Sequence, residues 1–483
     1  MLPTQLKAYF KDFGLLFKLP MEFWTIQSLN FMYCAFYFTF TTIAALHLSQ
    51  DVGFTDEGAG LLFGAFFFGT AIIQILTGPV VDRNGFRRTP LMAATVMTVG
   101  MLGIGFTPLL YGATSHARML MIVFYLVATV GNGLMFPVLT AGVKRFSNSE
   151  TRGAGFNMWY LTMNVGAMLT FVLDFMRRPL QDKATPEQVA AFRNAGGNAH
   201  ILWYLAGLLV VCWAIVFFFL KKEGQFPEFS AGSQKEEKPP VSSEKQPLGK
   251  VLKEIWADKE FRKVFALLFL TIPAHIPFVA VSLIYPKYYT RVIASDASVG
   301  SLASLNPIII VAGLLLFAPL LKRFNVYWVL TVGMLIGGSS CLVLAIPPSW
   351  LGSLFGIHDI GRIYFTMVIV QIVIFAMGEF IWSPQLQAYV GAIAPVGKEG
   401  TYMGITRYPY VIAKLLGGVA SGFLLAHFCP EGIKALIELG EVSYFHGPEA
   451  MNLIIALFTL TSPIALLLLR KKFYVSASAS DGT

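Results

Sequence analysis

The stretch GPVVDRNGFRRT, residues 78–89, sits between two long apolar runs at approximately 57–81 and 90–112. A helix needs about 20 mostly apolar residues to cross the hydrocarbon layer of a bilayer. Both runs are long enough, so the short charged segment between them reads as a turn at a membrane surface. Ten further runs lie outward from it, approximately 24–47, 118–143, 153–174, 199–221, 264–286, 299–321, 326–347, 362–393, 401–427 and 450–469. The count predicts twelve membrane-spanning helices, an all-α polytopic membrane protein.

Composition supports this. Of 483 residues, 55% are hydrophobic and 13% charged, against about 25% charged in a soluble domain. Mean hydropathy is +0.64. The net charge of +9 is spread over short loops, so it reads as membrane topology and not as a nucleic-acid surface. Cys34, Cys212 and Cys341 fall inside apolar runs and Cys429 near the end of one, which makes them small hydrophobes and not a disulfide framework. The chain carries no paired-histidine metal motif, nucleophile elbow or Walker loop. An enzyme, a nucleotide-driven pump and a bound cofactor are therefore not expected.

The first residues interleave Lys7, Lys11 and Lys18 with Phe10, Phe13, Leu16 and Phe17, the pattern of an interfacial segment (1–23) and not of a cleavable signal. Residues 222–249 are polar and contain Pro227, Pro239 and Pro240, and 250–263 read as a short amphipathic helix. The expected organisation is a six-helix bundle over 24–221, a linker with its amphipathic helix over 222–263, a second bundle over 264–470 and a tail over 471–483. Most of the 36 Lys and Arg residues fall on the side of the membrane that holds the N-terminus and the linker. The positive-inside rule then puts both termini in the cytoplasm of a cell whose inner or plasma membrane holds the protein.

The halves echo each other. Gly131, Pro137 and Gly153 recur as Gly378, Pro384 and Gly400, a constant offset of 247, and GPVVDR (78–83) faces APLLKR (318–323). Three matches at one offset point to two bundles related by a parallel repeat, an arrangement that places a substrate site between them near mid-membrane.

The loop at 78–89 has the pattern Gly-x3-Asp-Arg-x-Gly-x-Arg-Arg, formed by Gly78, Asp82, Arg83, Gly85, Arg87 and Arg88. It resembles the cytoplasmic loop signature of the major facilitator superfamily. The resemblance implies a two-bundle fold, alternating access and a gating role for these six residues. In that role Gly78 admits a neighbouring helix, Asp82 caps a helix N-terminus, and the arginines pair with acids across the interface between halves. Two further fragments, GNGLMFP…GFNMWYLTMNVGAM and GEFIWSPQLQAYVGAIAPVGKEGTYMG, are similar to the proton-dependent oligopeptide transporters. Tyr160, Asn164 and Gly166 match the family's Tyr-x3-Asn-x-Gly in the fifth span, and Gly378, Glu379 and Pro384 match its tenth. The family's Glu-x-x-Glu-Arg in the first span is replaced by neutral residues at Asn30, Tyr33 and Cys34. Its fourth-span lysine is Phe136. That difference implies a divergent relative with another substrate.

An ionisable group inside a span is costly, so it needs a partner or a task. Glu379 suits proton coupling, since a carboxyl group in a span can carry a proton. His275, beside Pro273 and Pro277, is a second candidate relay or, equally, a neutral histidine at a proline bend. Arg407, Tyr410 and Lys414 share one face of the eleventh span, where Lys414 can hold an anionic group or pair with Glu379. Gln27, Asn30, Tyr33 and Tyr37 in the first span, and Asn157, Tyr160 and Asn164 in the fifth, form polar stripes suited to a wet cavity or to helix–helix contacts. His47, His427, Asp174, Arg177 and Arg178 fall near the outer ends, where solvation suffices. The expected activity is secondary transport by a monomer, proton-coupled and carrying a small anionic or zwitterionic, peptide-like solute. The alternatives are an exporter of amphipathic drugs or lipids and a transporter-derived sensor or scaffold.

Overall fold

The computed structural model describes residues 14–148, 151–177, 185, 187, 197–221, 256–257, 259–321, 324–393 and 408–473. In chain order the helices are α1 (Met21–Gln50), α2 (Asp56–Tyr111), α3 (Ser115–Arg145), α4 (Arg152–Met168), α5 (Val172–Met176), α6 (Ala199–Phe219), α7 (Lys259–Leu270), α8 (Ile276–Leu283) and α9 (Tyr285–Val292). They continue as α10 (Val299–Leu321), α11 (Val326–Leu344), α12 (Pro348–Phe355), α13 (Ile360–Ile393), α14 (Tyr408–Phe428), α15 (Ile433–Glu438), α16 (Pro448–Leu468) and α17 (Arg470–Phe473). Among the described residues 11 helices are long and apolar enough to cross a membrane, and a bent pair makes up to 12. The interfacial segment before residue 14, the linker at 222–249 and the tail from 474 lie outside the described residues.

Two breaks in regular helix matter. The second and third spans run together as α2, and the chain turns between them at Gly85, with φ 81°. Only glycine takes that conformation at little cost, so the second glycine of the loop motif has a backbone reason. Thr89 Oγ1 donates to the Gly85 carbonyl at 2.9 Å and steadies the turn.

The seventh span is the bent pair, Phe261–Leu270 and Pro273–Leu283, with a 49° angle between its parts. Pro273 and Pro277 lack the N–H that a continuous helix needs. The exposed backbone groups are met from the twelfth span. Ser462 Oγ donates to the Leu270 carbonyl at 2.6 Å and accepts from the Ala274 amide at 3.0 Å. Inside a bilayer no water reaches such groups, so a neighbouring side chain is the available remedy.

The helices form two six-helix bundles, and these meet chiefly where α2 packs on α14 and where α10 packs on α4 and α5. Gly60 and Gly64 face Gly418 on α14. A Cβ at Gly64 would stand 2.9 Å from the Gly418 Cα, and one at Gly60 2.8 Å from the Gly418 carbonyl oxygen. Here two backbones touch, and no larger residue fits without displacing a helix.

Candidate functional site

Lys414 lies on α14 at the boundary between the bundles, 9% exposed. Its Nζ donates to Tyr37 Oη of α1 at 3.0 Å. It also lies 4.0 Å from the ring centre of Phe67 on α2 and 4.3 Å from that of Tyr410 on its own helix. Aromatic faces stabilise a cation at such distances. The described contacts thus come from both bundles and are aromatic, which places the Lys414 ammonium in a largely apolar cradle. An anion arriving there would meet a desolvated ammonium group, where electrostatic attraction is stronger than in water. Tyr33 stacks on Tyr37 with ring centres 6.0 Å apart. Its hydroxyl donates to Asn132, which in turn donates to Thr70 at 3.1 Å, so the first, fourth and second spans share one polar chain.

Glu379 lies on α13. Its Oε2 accepts from Asn306 Nδ2 of α10 at 3.1 Å. Tyr160 of α4 is its neighbour and also lies close to Ser383, one turn further along α13. A carboxyl group, an amide, a phenol and a hydroxyl therefore gather where the fifth, eighth and tenth spans meet, across the boundary between bundles. His275 sits at the break of the seventh span, with Nδ1 2.8 Å from the Thr271 carbonyl. The ring meets Trp382 edge-on at 5.0 Å and Tyr410 at 5.8 Å.

Of the stripes read from the sequence, Tyr37, Lys414 and Tyr410 come together, as do Glu379 and Tyr160. Asn30 turns elsewhere, donating to the Trp159 carbonyl at 2.9 Å and to Thr162 at 2.8 Å, and so joins the first span to the fifth. Asn164 donates to the carbonyl of Tyr160, on its own helix. Asn157 is exposed. Arg407 lies outside the described residues. In the loop motif, Arg88 is exposed and nothing is described of the Asp82 and Arg83 side chains or of the surroundings of Gly78. Arg87 reaches the sixth span of its own bundle: it donates to the Phe217 carbonyl at 2.8 Å and lies 5.4 Å from that ring. The described contact is thus with a helix C-terminus, whose unsatisfied carbonyls attract cations, where the motif implied an acid across the interface.

Polar contacts that sequence reasoning did not foresee close one end of the interface between bundles. Asp56, the first residue of α2, accepts from Lys287 of α9 at 2.7 Å and from both terminal nitrogens of Arg291 at 2.9 and 3.0 Å. Lys287 also donates to Ser49 at the end of α1. Arg291 further donates to the Cys429 carbonyl at 2.7 Å, after α14. Nearby, the Asp174 carboxylate accepts from the amides of Gly300 and Ser301, each at 2.7 Å, and so caps α10 from the other bundle. Three sequence readings are corrected here: Asp174 is not simply solvated, Arg177 is buried at 5% exposure, and His47 is fully buried with Nδ1 2.7 Å from Asp51. The gap inward of this seal, between Thr42, Asn306, Gln371 and Phe375, has a volume of only about 10 Å³, room for about one water. The only sequence signals were Asp56 following the helix-capping Thr55, and a lysine inside the tyrosine-rich run YPKYYTR at 285–291.

Comparison with known proteins agrees with this architecture. Residues 28–293 match the profile of the Major Facilitator Superfamily. The voltage-gated purine nucleotide uniporter of Rattus norvegicus is 26% identical over 173 residues, which are 35% of this chain and 36% of that protein. An uncharacterised MFS-type transporter, YttB of Bacillus subtilis, is 28% identical over 130 residues, 24% of this chain and 32% of the relative. The chain thus spans about a third of the length of these curated relatives. Solved structures match nearly end to end. A Glu-to-Gln mutant of a peptide transporter POT in complex with sulfate superposes with a TM-score of 0.65 at 16% identity, over 94% of this chain and 95% of the other. A POT family transporter in complex with 5-aminolevulinic acid gives 0.65 at 15%, over 94% and 97%. At that identity the likeness speaks to fold, and the fold is that of transporters with two six-helix bundles. With the profile matched over more than half its length, the chain belongs to the Major Facilitator Superfamily.

Proposed function

We propose that this secondary transporter moves a small anionic or zwitterionic solute by proton-coupled alternating access. The observation that carries the reading is the cradle of Lys414, a buried cation held by Tyr37 and Phe67 of one bundle and Tyr410 of the other. A solute carboxylate or phosphate that takes the ammonium from Tyr37 couples its own binding to a contact between bundles. Glu379 is the proton site of this reading. Its cluster with Asn306, Tyr160 and Ser383 also crosses between bundles, so a change of charge there alters how well the bundles fit. The relative named as a purine nucleotide uniporter acts on an anion, in keeping with this choice of solute.

In the same reading both termini are cytoplasmic, the bundles extend over 24–221 and 264–470, and the Asp56 end faces outward in an inner or plasma membrane. The chain then stands closed to the outside. Uptake into proteoliposomes under an imposed pH gradient tests the coupling. The expected result is gradient-driven accumulation that Glu379→Gln abolishes while solute exchange persists. Full gradient-driven uptake by that variant would remove Glu379 from the mechanism. A second reading, export of amphipathic compounds, draws on Phe278, Phe375 and Trp382 packed together beside the same region. Competition separates the two, because small anions should block the first and hydrophobic cations the second.

A further inference from the structure

Beyond the seal made by Asp56 lies a second space, a cavity of about 1120 Å³ lined in part by Arg177, Lys287, Arg291, Lys434 and Asp51. It opens away from the membrane centre, on the far side of the seal from Lys414. Its least exposed lining charges are Arg177, Lys287 and Arg291 against Asp51, and Lys287 and Arg291 also share Asp56. The side chains of Lys287 and Arg291 are 3% and 7% exposed, and Arg177 is 5% exposed. The lining acids Glu431 and Glu438 stand at the rim, 78% and 52% exposed.

Arg177 is the unusual member. Its Nε is buried with no hydrogen-bond partner among the described residues. Asp174, Asp51 and Asp296 are the acids that act on it, and the first two also bind other groups. Asp51 accepts from His47 and from the Asn198 amide, and Asp174 caps α10. A guanidinium with a buried nitrogen left unbonded is expensive. One that lines a water-accessible cavity is a ready receptor for a carboxylate or phosphate, which it can grip with two parallel hydrogen bonds. Cations in a low-dielectric cleft also concentrate anions from solution.

We infer that this cavity is a binding site for a soluble organic anion, whose carboxylate or phosphate group sits on Arg177. The site is separate from the central one and does not depend on what Lys414 carries. The volume accommodates a molecule much larger than an inorganic ion. Arg177 follows α5 of the first bundle while Lys287 and Arg291 belong to α9 of the second. An anion bound there therefore touches both bundles while the seal is shut, and favours the shut state by mass action.

The test is binding by the full chain in phosphatidylcholine nanodiscs, with citrate and inorganic phosphate as probes and choline as a cationic control, read by thermal shift and by titration. The expected result is stabilisation by both anions, more strongly by citrate, and none by choline. Arg177→Gln should weaken citrate binding about tenfold or more, the loss of a charge-assisted pair, and Arg177→Lys should recover part of it. Unchanged affinity in Arg177→Gln, or no response of the native protein to either anion, overturns the proposal. If Arg177→Gln does not fold, Ser295→Glu decides. This residue is exposed and lines the cavity, and the added negative charge should lower citrate affinity several-fold. Unaltered affinity there overturns the proposal as well. Uptake driven through the central site is measured separately, so loss of citrate binding with uptake intact affects only the outer site.

Discussion

Lys287 Nζ lies 2.7 Å from Asp56 Oδ1, an ion pair between residues 231 positions apart in the chain and on opposite bundles. Arg291 adds a two-pronged grip on the same carboxylate. Three charges with 12% exposure or less thus share one contact. Removing one partner of a buried pair costs more than never having had the pair, because the remaining charges are left uncompensated.

Asp56→Asn should therefore loosen the seal by about 3–5 kcal/mol. The measurement is thiol labelling at Thr42→Cys, which lines the gap inward of the seal. The native cysteines are buried, so background labelling is low. A membrane-impermeant reagent applied from the Asp56 side should react at least tenfold faster in the Asp56→Asn background. Equal rates would show that the seal does not depend on this pair.

Gly64→Val addresses the same seal through packing. A Cβ at Gly64 already stands 2.9 Å from the Gly418 Cα, and two added methyls would push α2 from α14. The expected outcome is normal insertion, greater labelling at Thr42→Cys and at least tenfold lower transport, since an alternating cycle needs both closed states. Transport near the native rate would mean that α2 and α14 need not meet.

Lys414→Met keeps much of the side chain's length and apolar contact while removing the charge. Folding should survive, because Phe67 and Tyr410 can pack on a thioether. Affinity for an anionic solute should fall about tenfold or more, and Lys414→Arg should retain part of it. Solute competition assays read both variants, and wild-type affinity in Lys414→Met would exclude the residue from the site.

Ser462→Ala tests the splint at the broken seventh span. It leaves the Leu270 carbonyl and the Ala274 amide without the partner they now share. A buried unsatisfied group costs about 1–3 kcal/mol, so thermal stability should drop measurably. Ser462→Thr, which restores the hydroxyl, should recover much of the loss.

The spans and the existence of a turn at 78–89 were legible because each is written locally, while the backbone role of Gly85 was not read from the loop. Apolar run length fixes a span, but the positive φ that demands a glycine at residue 85 is a property of the folded turn. The tight meeting of Tyr37 with Lys414 was half legible: both were marked as polar groups in spans, but no pattern in the chain states that they touch. The seal was not legible. Asp56, Asp174, Lys287 and Arg291 stand at span ends, where a sequence reader assigns charges to water. Only the packing of bundles takes water away from them. Arg87 misled for a related reason, since a positive charge at a loop does not declare which carbonyl or carboxylate lies within its reach.

The joint in the seventh span sets a scale for movement. From the joint, α8 and the first turn of α9 (276–287) extend over roughly 18 Å at 1.5 Å per residue, to the lysine that holds Asp56. A turn of about 10° at the joint would carry that lysine roughly 3 Å, comparable to the length of a hydrogen bond. The segment Phe261–Leu270 need not stir. The lock and its lever thus lie on consecutive short helices, α8 and α9, so a pivot of that size at the joint is enough to part Lys287 from Asp56.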